Sequence, residues 1–327
     1  MYVLAADETG GPEQLRLRQL PDPALSPGQV RVSVTTIGLN FAELVQLSGS
    51  FQIPAPDLLV PGFELVGVVT ETAPDVTTIA PGRRVIALVS WGAYTDQLTV
   101  DATHVLPIPD DMDDLTAAGF PVSYATAHVS LLHRGGLKPG ETVVITGATG
   151  NVGEAALQVA RAAGARVIAV DRSGALTPTV ADHVLPPEGL ADAVRSLTRQ
   201  HGADLVLDLV GGDLTRELIA ALAWEGRLVT AGFASGTIPT VSLLDVLVGN
   251  IAIIGSDIAS YASCDVTVAM RALSQCLAWH AEGRLTPRVP AAFAFPEAPK
   301  ALALIAEGTA SGKLALDLTV PWSSDLR

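Results

Sequence analysis

The chain has 327 residues, 49% of them hydrophobic but only 5% aromatic and 17% charged, with a mean hydropathy of +0.40. That apolar content excludes a disordered or low-complexity chain, and the length accommodates two domains of ordinary size. Twenty basic against 34 acidic side chains leave a formal net charge of −14, which argues against nucleic acid or an acidic membrane surface as partners.

Taken in chain order, the first 120 residues read as short strands separated by Pro and Gly turns. Pro27-Gly28 precedes a strand at Gln29 to Ile37, Glu64 to Thr72 is another, Pro81-Gly82 precedes Arg83 to Val89, and Tyr94 to Val100 follows. This half predicts a compact β-rich, barrel-like domain. From about Val122 strands alternate with helices: strand Thr142 to Thr146, helix Asn151 to Ala163, strand Arg166 to Val170, strand Leu205 to Asp208, helix Asp213 to Ala223, and strands Gly226 to Thr230 and Asn250 to Gly255. Such alternation predicts a doubly wound parallel sheet. After Ser256 come a helix at Asp265 to Glu282, a strand at Ala292 to Phe295, a helix at Glu297 to Glu307 and a last strand at Lys313 to Val320.

The apolar residues fall in short runs, none reaching the roughly 18–20 residues that span a bilayer, as in strands covered on both faces. The first residues lack the basic segment and longer apolar core of a secretory signal, so a cytoplasmic location is expected. Cys264 and Cys276 lie outside any Cys-x-x-Cys or His-rich cluster and read as reduced thiols.

The strongest motif is Gly147-Ala148-Thr149-Gly150-Asn151-Val152-Gly153, which closes one strand and opens a helix. In a strand–helix–strand context, glycines there permit a tight turn and a close approach of backbone to pyrophosphate, while the helix N-terminus presents N–H groups to anionic oxygens. Gly147, Gly150, Asn151, Val152 and Gly153 are therefore cofactor-binding candidates. Asp171 ends the next strand, eighteen residues after Gly153, where a carboxylate accepts from both adenosine ribose hydroxyls and favours NAD(H). Arg172 follows, and its guanidinium suits a 2′-phosphate and hence NADP(H). The dipeptide leaves both cofactors open.

Beyond these motifs, short stretches along nearly the whole chain resemble the zinc-independent quinone oxidoreductase branch of the medium-chain dehydrogenase/reductase superfamily. They are Ile37-Gly38-Leu39-Asn40-Phe41-Ala42-Glu43, Val60 to Val69, Leu137-Lys138-Pro139-Gly140-Glu141-Thr142-Val143, the glycine loop, Asp208-Leu209-Val210-Gly211-Gly212, Gly232-Phe233-Ala234-Ser235-Gly236 and Gly312-Lys313. The resemblance implies an α/β fold in which a Rossmann domain, residues 122–259, is inserted in a GroES-like catalytic domain made of residues 1–121 and 260–327. It places the nicotinamide in a cleft between them, and implies a homodimer paired through the edge strand 250–255.

By the same resemblance, Asn40 contacts nicotinamide or substrate and Thr126 lines the nicotinamide pocket; these two are the catalytic candidates. Val210 and Phe233 flank the cofactor path, Lys313 sits near the cofactor, and Phe51, Phe63 and Tyr124 are substrate-pocket candidates. Zinc-dependent relatives carry a Cys where this chain has Asn40, a His where it has Phe63, and a further Cys or acid near Val122. No three-ligand zinc site is expected from these residues. Many relatives also carry a Tyr in a Gly-x-Tyr setting where this chain reads Gly49-Ser50-Phe51, and Phe51 has no proton to give. Relatives using NADPH often place a Lys after the second strand and a Tyr before the next helix. This chain reads Ser173-Gly174-Ala175-Leu176-Thr177-Pro178 and later Leu185-Pro186-Pro187. Arg172 is left as the 2′-phosphate candidate. Tyr94, Tyr124, Tyr261, His104, His128 and His133 remain as candidate acids that match no family role.

The expected function is NAD(P)H-dependent hydride transfer to a conjugated carbonyl of a small molecule, quinone or enone, without zinc, with NADP(H) favoured by the family. A biosynthetic enoyl or polyketide reductase is the alternative. A cofactor-binding protein without redox chemistry, a sensor or non-redox catalyst, is a third reading.

Overall fold

The computed structural model describes every residue except 55, 175, 177–180 and 323–327, and the chain forms two compact units. One comprises Met1–Val122, Ala259–Leu277 and Pro287–Arg327; the other comprises Ser123–Ile258 and Ala278–Thr286.

In the first unit the strand Gln29–Leu39 is the pivot. One half of it pairs antiparallel with Gln97–Asp101, the other half with Leu314–Asp317, and its opposite edge pairs with Glu64–Thr72. The sheet runs Ala291–Ala294, Leu314–Asp317, Gln29–Leu39, Glu64–Thr72, Arg84–Leu88, Val105–Pro107. Alternating apolar residues such as Val30, Val32, Leu65 and Val85 enter one core with Tyr94, Phe295 and Leu302. Register does the work that matters for function: Leu39 stands opposite Leu314, so Asn40 and Lys313 adjoin the same rung although 273 positions separate them.

The second unit is a six-stranded parallel sheet in the order His183–Leu185, Arg166–Val170, Thr142–Ile145, Ala203–Asp208, Leu222–Thr230, Ala252–Gly255. Its central strands are apolar at consecutive positions because both faces are covered, and Val143, Val144 and Ile145 have no exposed surface. The helices Asn151–Ala162, Leu190–Leu197 and Leu214–Ala221 bury their apolar stripes, among them Val194 and Leu218.

Several elements depart from the sequence reading. The strand expected from Tyr94 begins at Gln97, because the Thr95 hydroxyl takes the Gln97 N–H at 3.2 Å and Tyr94 turns fully into the core. The strand expected from Asn250 begins at Ala252. Ahead of it an unforeseen helix, Leu243–Gly249, is capped by the Ser242 hydroxyl and ended by Asn250 in a left-handed conformation (φ 49°). The segment Ala278–Thr286, expected with the β-rich domain, groups with the parallel sheet instead. There Thr286 N–H donates to Gln158 Oε1 at 2.7 Å and the Arg284 guanidinium donates to the Ala162 carbonyl. Among the described residues no helix is long and apolar enough to cross a membrane.

Candidate functional site

In the β-rich unit, Asn40, Glu43, Glu64 and Lys313 form a buried polar network, none of them more than 8% exposed. Lys313 Nζ donates to Asn40 Oδ1 at 2.6 Å and also to Glu64 Oε1. Asn40 Nδ2 donates to Glu64 Oε1 at 2.9 Å and to Glu43 Oε1 at 3.2 Å, while the Asn40 backbone N–H reaches Glu43 Oε2 at 2.7 Å. The second Glu64 oxygen accepts from Val122 N–H at 2.7 Å. Gly38 makes room for this: a Cβ there would lie 2.5 Å from Glu64 Oε1 and 2.2 Å from the Ala118 carbonyl. Burial pushes the Glu43 carboxyl up to about 8, outweighing the Lys313 ammonium and the Asn40 hydrogen bonds that favour its charged form.

This network changes what two of the expected residues do. Both hydrogens of the Asn40 amide are committed to the carboxyl groups of Glu43 and Glu64, so they are not free to hold a substrate oxygen. Lys313 is directed onto Glu64 and Asn40.

Beside the network lies an aromatic cluster. Phe51 stands 5.3 Å from Phe63 and 5.8 Å from Trp91, ring to ring, the latter pair edge to face at 88°. Gln46, fully buried on the same short helix as Glu43, holds its two supporting turns. Its Nε2 donates to the Ser90 carbonyl at 2.7 Å, and its Oε1 accepts from Gly62 N–H at 3.0 Å. Glu43, Gln46, Glu64 and Trp91 were not singled out as site residues from the sequence. The available signal was a carboxylate inside the apolar run Phe63-Glu64-Leu65-Val66.

In the parallel-sheet unit the glycine loop follows Thr142–Ile145 and opens the helix Asn151–Ala162 with Gly150 as N-cap. No side chain caps this end, so its first N–H groups face outward for an anion. A Cβ on Gly153 would sit 2.1 Å from the Gly147 carbonyl oxygen, so the cradle closes only with glycine there. The turn after Ala203–Asp208 meets the same loop: a Cβ on Gly147 would touch Leu209 and Val210 at 3.4 and 3.5 Å. Asp208, 1% exposed, shapes that turn by accepting from Val210 and Gly211 N–H at 3.0 Å and from the Thr215 hydroxyl at 2.8 Å. Phe233, 39% exposed, packs over Gly211. The residues present fit a dinucleotide.

Asp171 is 7% exposed and its carboxylate is taken up by its own turn, accepting from Ser173 N–H at 2.8 Å, the Ser173 hydroxyl at 2.6 Å and Leu176 N–H at 2.8 Å. Arg172 is carried outward on that turn and is exposed. Of the run Ser173 to Pro178, Ala175, Thr177 and Pro178 lie outside the described residues. Thr126 and Tyr124 are buried on the helix Pro121–His128, Tyr124 donating to Gln158 Oε1 at 3.2 Å.

The candidate acids fare differently. Tyr94 is fully buried, and burial with the nearby Glu43 and Glu64 charges raises its phenol well above the ordinary range. It is a poor proton donor at neutral pH. Burial and the neighbouring His133 lower His128 to about 4, which keeps it neutral beside Trp279. His104 Nδ1 is paired with the Leu88 carbonyl at 2.8 Å. Among the described residues no group of three His, Cys, Asp or Glu side chains is arranged to hold a metal ion.

Residues 26–110 match the alcohol dehydrogenase GroES-like domain and residues 151–275 the zinc-binding dehydrogenase family. The chain is 34% identical over 311 residues to quinone oxidoreductase-like protein 2 of Bos taurus, covering 93% of this chain and 89% of that one. It is 32% identical over 329 residues to one component of the phenolphthiocerol/phthiocerol polyketide synthase of Mycobacterium tuberculosis, 96% of this chain but 15% of that protein. Among solved structures, a mycobacterial protein complexed with NADPH matches with a TM-score of 0.86 at 28% identity, covering 97% of this chain and all (100%) of that one.

The network predicts two outcomes. Lys313→Met leaves Glu64 buried without its cation and lowers unfolding stability by about 3–5 kcal/mol, read from the urea midpoint. Glu43 binds its proton more tightly folded (about 8) than unfolded (4.5), so stability is fullest at low pH and declines as pH rises through that window. Glu43→Gln is therefore expected to flatten the fall of Tm between pH 5 and 8, measured by calorimetry; an unchanged slope refutes the assignment.

Proposed function

The chain belongs to the quinone oxidoreductase-like branch of the medium-chain dehydrogenase/reductase superfamily and is an oxidoreductase, and from that premise we propose that it transfers hydride from NADPH to a conjugated carbonyl, quinone or enone, without zinc. The observation that carries the cofactor half is the glycine cradle at the uncapped helix N-terminus, with Gly153 against the Gly147 carbonyl. Asp171 spends its oxygens on the turn that presents Arg172, which supports a guanidinium partner for a 2′-phosphate rather than a carboxylate partner for a ribose. The similarity to a protein solved with NADPH supports the same choice.

The donor set argues against a catalytic zinc. Where zinc-dependent relatives carry ligands this chain has an amide, Asn40, engaged with Lys313 and two carboxylates, and a phenyl ring, Phe63, packed on Phe51. The site then has to bind the reactants in line, exclude water and hold the developing negative charge on the acceptor oxygen. When bound, the reduced nicotinamide supplies the hydride. An enoyl reductase is the second reading, favoured by the similarity along 96% of this chain to a polyketide synthase component. We place the protein in the cytoplasm, supported by its acidic charge and two free thiols.

We further propose a homodimer. Among the described residues the edge strand Ala252–Gly255 pairs on one side only, with Leu222–Thr230. Beside it in sequence, the helix Leu243–Gly249 exposes Leu243, Leu244, Leu247 and Val248 by 65–82% each. Residues this apolar suit a self-complementary partner, and a second copy can extend the sheet about a two-fold axis.

Oxidation of NADPH and NADH, followed by absorbance with a panel of quinones, enones and enoyl thioesters, is expected to show turnover with NADPH and a quinone or enone. Preference for thioesters selects the second reading, and tight NADPH binding without any turnover sinks both. Arg172→Ala is expected to weaken NADPH binding at least tenfold and NADH binding little; equal effects on the two refute the role of Arg172. Light scattering is expected to give twice the 33.8 kDa chain mass, and Leu247→Glu with Ile253→Glu the mass of a monomer.

A further inference from the structure

Two positions offer the acceptor oxygen no donor: Phe51 has no hydroxyl, and the Asn40 amide hydrogens are bound to Glu43 and Glu64. A third donor lies in the same cluster. The Trp91 indole nitrogen is shielded from solvent and, among the described residues, has no hydrogen-bond partner. An indole N–H donates in one fixed direction and accepts nothing, so unlike an unpaired hydroxyl it cannot turn toward another group. A buried donor left without an acceptor is costly, and such groups mark either strain or a missing ligand.

Trp91 is also held in place. Gln46 Nε2 ties the preceding carbonyl of Ser90 at 2.7 Å, and Gly92 N–H donates to the Val60 carbonyl at 2.9 Å. Phe51, only partly buried, lies edge to face against the indole, with Phe63 beyond it at 5.3 Å. The cluster therefore joins flat apolar walls to one unsatisfied donor, and Phe63 directly precedes Glu64 of the charged network.

We propose that the Trp91 indole N–H donates a hydrogen bond to the carbonyl oxygen of a flat conjugated substrate seated against Phe51 and Phe63, replacing the phenol that Phe51 lacks. This inference rests on the reductase reading above. As hydride, with its two electrons, adds to the conjugated carbon, the C=C pair shifts toward the carbonyl and charge gathers on the oxygen. The indole keeps its proton and stabilises that enolate, and solvent water then protonates the α-carbon. The proposed contact requires Phe51, only partly buried, to turn aside as the ligand enters and expose the N–H.

The test uses the full-length protein with NADPH and its best acceptor from the panel. Trp91→Phe is expected to lower kcat about tenfold to hundredfold while NADPH affinity stays within about twofold. Adding Phe51→Tyr to Trp91→Phe restores a donor to the cluster and recovers activity. A readout without turnover is the carbonyl stretch of 13C-labelled acetophenone bound with oxidised cofactor. It is expected at lower frequency in wild type than in Trp91→Phe. A wild-type stretch equal to that in an apolar solvent overturns the contact even if the variants do not fold. Unchanged kcat in a Trp91→Phe protein of lower Tm shows that the indole serves only packing against Phe51. Absence of turnover by wild type on every acceptor overturns the reductase reading and the catalytic role together, whereas a kcat left undiminished by Trp91→Phe overturns the role of Trp91 alone.

Discussion

A lysine ammonium with 4% of its surface exposed has to be neutralised where it stands, and Lys313 is neutralised by Glu64, which has none exposed. The rest of the β-rich unit is arranged around that requirement. Glu64 leads the strand Glu64–Thr72, Lys313 leads Leu314–Asp317, and Asn40 trails Gln29–Leu39, so the network joins three strands at one end of the sheet. The second Glu64 oxygen reaches Val122 N–H, at the start of the next helix. Removing water from these groups is expensive, and only a full set of partners offsets it. That completeness is also why Asn40 has no amide hydrogen to spare for a ligand.

The six-residue helix Ala42–Leu47 couples this network to the aromatic cluster. Glu43 and Gln46, one turn apart and both fully buried, face the two neighbourhoods: Glu43 holds Asn40, and Gln46 holds the turns that carry Trp91 and Phe63. A helix so short has little stability of its own, so these side-chain bonds and the burial of Leu47 keep it in place. The parallel-sheet unit uses the same device at Asp171, which follows Arg166–Val170 and accepts from Ser173 and Leu176 N–H, and at Asp208. Asp208, at the end of its strand, organises the turn that meets the glycine loop. In both units a buried carboxylate at a strand end sets backbone geometry that apolar packing alone does not specify.

Legibility followed the strength of the local signal. Glu64–Thr72 and Arg166–Val170 appear with the expected bounds because short runs rich in apolar residues, Leu65 to Val69 and Val167 to Val170, admit few other structures between polar and turn residues. The glycine loop was equally plain, since its residue types are dictated by sterics, as the 2.1 Å approach of Gly153 to Gly147 demonstrates. Elements decided by one side-chain hydrogen bond were not: Thr95 delays a strand, and Ser242 starts a helix in an exposed stretch to which the sequence reading assigned no element. Ala278–Thr286 changes unit within the continuous helix Val266–Ala281, whose sequence gives no sign of it.

By itself the sequence determined the class of fold, the cofactor loop and the family, because these rest on periodicity and on residue types tied to a local geometry. Tertiary structure alone decided the occupation of the polar groups. Whether an amide, a carboxylate or an indole N–H is free depends on what the sheet register brings within 3 Å of it, and Lys313 meets Asn40 across 273 positions. A hydrogen bond is a short-range, directional interaction, and no spacing along the chain encodes it when its two ends arrive from strands so far apart.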